Sequence, residues 1–172
     1  MEKSPLKGKE ILAVDDEQDV LDVLEENLAG YGAKVDPATS YEEAREKIVS
    51  LTYDLVVLDI MGVRGFDLLQ LAVAKNLPVI MLTAHAATPD AIKKSIELGA
   101  RAYLLKDELA NVASFLEDVL RSSHQAVWKR SLERANSAFG KKFGPDWRIS
   151  EKEFWKKLDN DLKLEESVII TQ

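Results

Sequence analysis

The chain contains no cysteine, so disulfide bonds and thiolate metal sites are excluded. Nowhere does an apolar run approach the ~18 residues needed to cross a bilayer. The opening stretch Met1–Lys7 lacks the apolar core of a signal peptide. No internal repeat or low-complexity tract is present. These absences point to a cytoplasmic protein without membrane contact. What the chain does have is ordinary for a soluble globular protein: of 172 residues, 46% are hydrophobic and 31% charged.

The net charge of −7 is unevenly spread. Residues 1–121 carry 13 basic and 22 acidic side chains, a balance of −9, whereas residues 122–172 carry 10 basic and 8 acidic ones, a balance of +2. All three tryptophans (Trp128, Trp147 and Trp155) fall in the second part. This break predicts a domain over 1–121 and an extension over 122–172. Neither part is basic enough to suggest a nucleic-acid surface by itself.

Within the first part, short apolar runs alternate with helical patterns. Strands are predicted at 10–15, 33–36, 53–59, 78–83 and 101–105, with amphipathic helices near 17–29, 40–50, 66–75, 88–98 and 108–121. In the first helix Val20, Leu21, Val23, Leu24 and Leu28 form one stripe. Ser40–Glu43 is a capping box opening the second helix. Thr88 and Pro89 supply an N-cap and an N1 proline for the fourth. Gly30 and Gly99 sit where helices should stop. Five strand–helix units with nearly continuous apolar strands imply an α/β fold, a doubly wound five-stranded parallel sheet covered on both faces.

In the extension, Val127, Trp128, Leu132, Ala135 and Phe139 recur at helical spacing, either continuing the fifth helix or following a joint at Ser122–Gln125. Gly140–Trp147 is turn-rich. Ser150–Glu153 is a second capping box, opening a helix to about Leu164.

Each strand of the first part that ends in a polar group ends in a useful one. Asp59 closes the run Tyr53–Asp59, the segment Glu10–Asp16 ends in Asp15 and Asp16, Thr83 closes the fourth strand, and the segment Arg101–Lys106 ends in Lys106. Open parallel sheets bind ligands outside the carboxyl ends of their strands, so these residues describe one site. Singly each is ordinary: the acids serve as helix caps, the threonine as a core hydroxyl, the lysine as a solvated cation. Together, three converging carboxylates call for a cation. Mg²⁺ takes one or two carboxylates, waters and a phosphate oxygen. A lysine and a hydroxyl opposite suit a phosphoryl group. The set favours in-line phosphoryl transfer onto a carboxylate.

The motifs Val14–Glu17, Leu58–Met61, Val79–Ala84 and Gly99–Lys106 resemble, in order, the four signatures of the receiver domain of bacterial two-component response regulators, over residues 8–121. The resemblance implies a flavodoxin-like (βα)₅ fold with Asp59 as phosphoacceptor. Asp16 is then a direct Mg²⁺ ligand, Asp15 acts mainly through coordinated water, and the Met61 backbone carbonyl is a further ligand. Thr83 becomes the switch hydroxyl, Lys106 the counter-charge, and Tyr103 the aromatic that turns inward on activation, its alternative being a half-exposed strand tyrosine. The resemblance also implies a histidine kinase or phosphotransfer protein as donor, and an activity confined to the domain's own phosphorylation and dephosphorylation.

The chain departs from that pattern twice. Family members usually carry a proline shortly after the acceptor and one more residue before the glycine; here the loop is Met61–Gly65, without proline. Asp107 stands where a proline usually follows the lysine, often through a cis bond. A cis bond without proline costs roughly 2.5–4 kcal/mol, so the expectation is a trans Lys106–Asp107 bond, able to shift the ammonium, or a strained one. Met61 and His85 flank the expected path of attacking water: an apolar Met61 should hinder it, while His85 either positions water or stands by. For the extension, contact with a downstream protein partner or homodimerisation is preferred over DNA binding, since it lacks a basic recognition helix, and over catalysis, since His124 stands alone there. A degenerate receiver serving as a constitutive scaffold is the competing class.

Overall fold

The computed structural model describes residues 3–84, 88–122, 124–143, 152–153 and 155–160. The chain divides into two compact units, 1–122 and 123–172. In the first, strands β1 (Glu10–Val14), β2 (Lys34–Ala38), β3 (Leu55–Asp59), β4 (Val79–Thr83) and β5 (Ala102–Leu105) alternate with helices α1 (Gln18–Ala29), α2 (Tyr41–Ser50), α3 (Gly65–Ala74) and α4 (Pro89–Glu97). Helix α5 (Val112–Arg121) follows a 3-10 turn over Lys106–Asn111. All pairings are parallel, in the order β2-β1-β3-β4-β5.

Every residue of β3 and β4 is buried, as is β1 from Ile11 onward. Such strands need cover on both faces, which the crossover helices supply. Helix α1 buries Leu21, Leu24 and Leu28, spaced to share one face. Its stripe is narrower than the sequence suggests, because Val23 is 37% exposed. Strand β2 lies at the edge, where Pro37 is tolerated. The Lys34 N–H and the Ala38 carbonyl both bond to the β1 segment. By the alternation of a strand, Pro37 therefore directs its missing donor away from the sheet.

The caps behave as the sequence predicts. Ser40 Oγ accepts from the Glu43 N–H at 3.2 Å and Thr88 Oγ1 from the Ala91 N–H at 3.2 Å. Helix α2 ends under a cation from α3: Lys75 Nζ donates to the carbonyls of Ile48, Val49 and Leu51. Cations suit helix C-termini because the last carbonyls lack intrahelical partners.

Helix α5 begins later than the pattern predicts, because the 3-10 turn occupies residues after Lys106. No cis peptide bond occurs among the described residues, so Lys106–Asp107 is trans. In the second unit α6 (His124–Phe143) is a helix of its own and extends through Gly140–Phe143, where turns were expected. Residues 152–153 and 155–160 are helical. Trp128 and Trp155 are buried; Ser150 and Trp147 lie outside the described residues.

Where α3 starts is set by close packing. A Cβ on Gly65 would lie 2.9 Å from Ile60 Cα and closer still to the Asp59 carbonyl oxygen. The loop after Asp59 is thus drawn flush against the strand end. Gly65→Ala should destabilise the protein by an overpacking cost on the order of 1–3 kcal/mol in urea denaturation. Gly140→Ala, whose Cβ would meet nothing within 4 Å, should be neutral or stabilising by up to about 1 kcal/mol.

Candidate functional site

Strand order reverses between β1 and β3: the chain leaves β1 for β2 on one side and re-enters as β3 on the other. The crevice that this opens at the carboxyl edge is where α/β sheets hold ligands. Register delivers the side chains to one edge. Val14 pairs with Leu58, Asp59 with Leu82 and Thr83 with Leu105. Asp15 and Asp59 are therefore level, with Thr83 one residue and Lys106 two residues further along the strands.

The acids are deep. Asp15 is fully buried, Asp59 is 4% exposed and Thr83 is 3% exposed, whereas Asp16 is exposed. Lys106 Nζ lies 2.8 Å from Asp15 Oδ2 and 3.5 Å from Asp59 Oδ1. The trans bond to Asp107 thus leaves the ammonium in the site. Asp15 also has the capping role open to it, since its Oδ1 accepts the Glu17 N–H at 2.9 Å just ahead of α1.

Burial, and then the charge of Asp15, push the Asp59 carboxyl up to about 7, against the opposing pull of Lys106. Burial likewise raises Asp15, although Lys106 and the Glu17 N–H oppose it. Burial disfavours the Lys106 charge, but Asp15 and Asp59, with help from Glu17, outweigh it and hold the ammonium above its ordinary range.

Glu17 takes part as well, although its place in the Val14–Glu17 motif does not announce a role. Its Oε1 sits 3.2 Å from Lys106 Nζ. Oxygens of Asp15, Asp16 and Glu17 lie within 4.8 Å of one another. Asp59 joins this group through Lys106 and through repulsion from Asp15 and Asp16 rather than as a fourth member. The donor set is all oxygen, and one ammonium leaves it short of positive charge. Both properties fit a hard divalent cation.

Around the site, Met61 is 71% exposed, placing its side chain at the rim. Arg64 adopts a left-handed φ of 54° ahead of α3; its guanidinium stacks 4.1 Å from the Tyr41 ring centroid and pairs with Asp67 at 2.9 Å. Tyr103 is 5% exposed, a buried strand residue and not a half-exposed one. Its hydroxyl lies near Thr83 without a well-formed hydrogen bond, and burial raises its pKa against the opposing pull of Thr83. The Thr83 hydroxyl makes a long bond to the Ala84 carbonyl at 3.4 Å. His85 lies outside the described residues.

An Asp59 that titrates near 7 folded and near 3.8 unfolded leaves the folded state holding more protons between those values. Stability should therefore fall as pH rises from 4 through 7. In Mg²⁺-free urea denaturation, Asp59→Asn should flatten that slope and gain on the order of 2 kcal/mol at pH 8. A variant as pH-sensitive as the wild type would contradict this account.

Residues 11–115 match the family model of the response regulator receiver domain. The chain is 30% identical over 131 residues to the probable transcriptional regulatory protein SilR of Salmonella typhimurium, covering 73% of this chain and 57% of SilR. It is 36% identical over 103 residues to the alkaline phosphatase synthesis transcriptional regulatory protein PhoP of Bacillus subtilis, covering 58% of this chain and 42% of PhoP. The chain thus spans about half the length of these relatives or less. Among solved structures, a CheY-like response regulator receiver domain protein from Methanospirillum hungatei aligns at 27% identity with a TM-score of 0.55, covering 67% of this chain and 98% of that one. A five-stranded parallel sheet with its acids at the switch point and a family match over most of its length identify the first unit: the chain belongs to the response regulator receiver domain family.

Proposed function

We propose that Asp59 accepts a phosphoryl group from a histidine kinase or a phosphotransfer protein, and that the resulting charge switches protein contacts. The observation that carries this reading is the position of Lys106 Nζ, 2.8 Å from Asp15 and 3.5 Å from Asp59 in the switch-point crevice. A carboxylate oxygen of Asp59 attacks phosphorus in line, the bond to the donor nitrogen breaks, and an acyl phosphate forms. Lys106 then pairs with a phosphoryl oxygen, and Thr83 Oγ1 exchanges its weak backbone bond for a second one. Asp15, Asp16, Asp59 and the Met61 backbone carbonyl would hold Mg²⁺, which offsets phosphoryl charge when bound. Glu17 is a further candidate ligand, released as Lys106 turns to the phosphoryl group.

Tyr103 follows Thr83 in this reading, because the buried ring beside the hydroxyl must repack if Thr83 moves. The residue pattern supports a receiver over 1–121 and an output role for 122–172. That output is contact with a downstream partner or a second copy of the chain, and the buried Trp128 and Trp155 supply its core. The absence of a helix long and apolar enough to cross a membrane among the described residues is compatible with a cytoplasmic location.

Incubation with Mg²⁺ and acetyl phosphate should yield an acid-stable, base-labile phosphoryl group that Asp59→Asn abolishes. No incorporation, together with failure to bind beryllofluoride, would leave a constitutive scaffold as the better description. Met61 bears on lifetime: its thioether at the rim shields the acyl phosphate from water, so Met61→Asn should shorten the half-life severalfold. Equal half-lives would remove Met61 from the tuning of this site, leaving His85 to be tested in the same assay.

A further inference from the structure

Gly62 is the residue after the one whose backbone carbonyl is assigned to the ion. Its φ of 86° puts it in the left-handed region, and the Asp16 carboxylate lies directly against its α-carbon. A Cβ added there would stand 2.6 Å from Asp16 Cγ and 2.9 Å from Oδ1, and closer still to Oδ2. The space an ordinary side chain would fill is thus taken by the carboxylate.

The loop has little freedom to back away from such a collision. Downstream of Gly62, Gly65 is packed against the Asp59 carbonyl, and its neighbour Arg64 is tied to Tyr41 and Asp67. Asp16, by contrast, is exposed and free to rotate outward. A side chain at position 62 would therefore be accommodated by expelling the Asp16 carboxylate from the crevice, at small cost to the fold. Strand β1 delivers Asp16 and the loop after β3 delivers the Met61 carbonyl, so both reach one ion only while they lie in contact.

We propose that Gly62 is a positioning residue for the metal centre: its missing Cβ seats the Asp16 carboxylate against the loop backbone that supplies the Met61 carbonyl. This rests on the Mg²⁺ reading above and assigns to the shortened loop a role in metal affinity. The proline-free loop is on this view a second way of fixing the same backbone, by contact with a ligand rather than by a locked φ.

The test is isothermal titration of the full chain with MgCl₂, without phosphodonor, alongside thermal unfolding to establish that each variant is folded. Gly62→Ala should weaken Mg²⁺ binding by about 10- to 100-fold, the range for residues that orient a ligand. Gly62→Asn, which tolerates positive φ better but also carries a Cβ, should weaken it comparably, separating loss of the seat from backbone strain. In an Asp16→Ala background, the Gly62→Ala change should cost nothing further, because the two act through one carboxylate. Unchanged affinity in folded Gly62→Ala, or losses from the two positions that add in full, would overturn the assignment. A wild-type chain that takes up no Mg²⁺ would instead overturn the metal reading beneath it.

Discussion

The carboxyl edge of this sheet holds two carboxylates that water barely reaches, and the Lys106 ammonium is what makes that arrangement tenable. Buried charges persist when paired and otherwise shift toward neutrality. Asp15 and Asp59 do both, since each touches Lys106 and each is still held above its ordinary range. The compensation is therefore partial. One cation serves three acids, Asp15, Asp59 and Glu17, and Asp16 adds further negative charge nearby. A site in that condition is poised: any added positive charge relieves it, and any anion that brings its own counter-ion is admitted. Much of the fold serves this balance. The parallel register levels the strand ends, and β5 stops where its next residue can reach across to β1 and β3.

The loop after Asp59 shows a second constraint, in which contacts replace a rigid residue. A left-handed non-glycine residue costs roughly 1–2 kcal/mol, and Arg64 carries that cost. Its stacking on Tyr41 is largely exposed, 63% for the arginine side chain, and at such sites contributes about 0.5–1 kcal/mol. The clasp alone falls short. What completes the loop's placement is the glycine contact at position 65, where the backbone leaves no room for a side chain between helix and strand.

Much of this was legible in the sequence because the governing signals are local. Continuous apolar runs such as Leu55–Leu58 announce buried strands, and the acid, hydroxyl or ammonium after each run announces the edge that binds. Three features were less visible for physical reasons. Strand β2 runs to Ala38 rather than stopping before Pro37, since a proline facing away from the sheet removes no ladder bond, and orientation cannot be read from composition. The start of α5 lies later than composition suggests, because Lys106–Asn111 has the residue types of a helix yet forms a 3-10 turn. Glu17 is hidden for a related reason: its role depends on a lysine 89 residues away.

Pro37 has a consequence beyond the sheet's internal pairing. A sheet margin with free donors invites a strand from another molecule to add on, and proline there is one of the devices that discourage it. With Pro37 presenting no donor on the outer side of β2, that margin is a poor template for intermolecular strand addition.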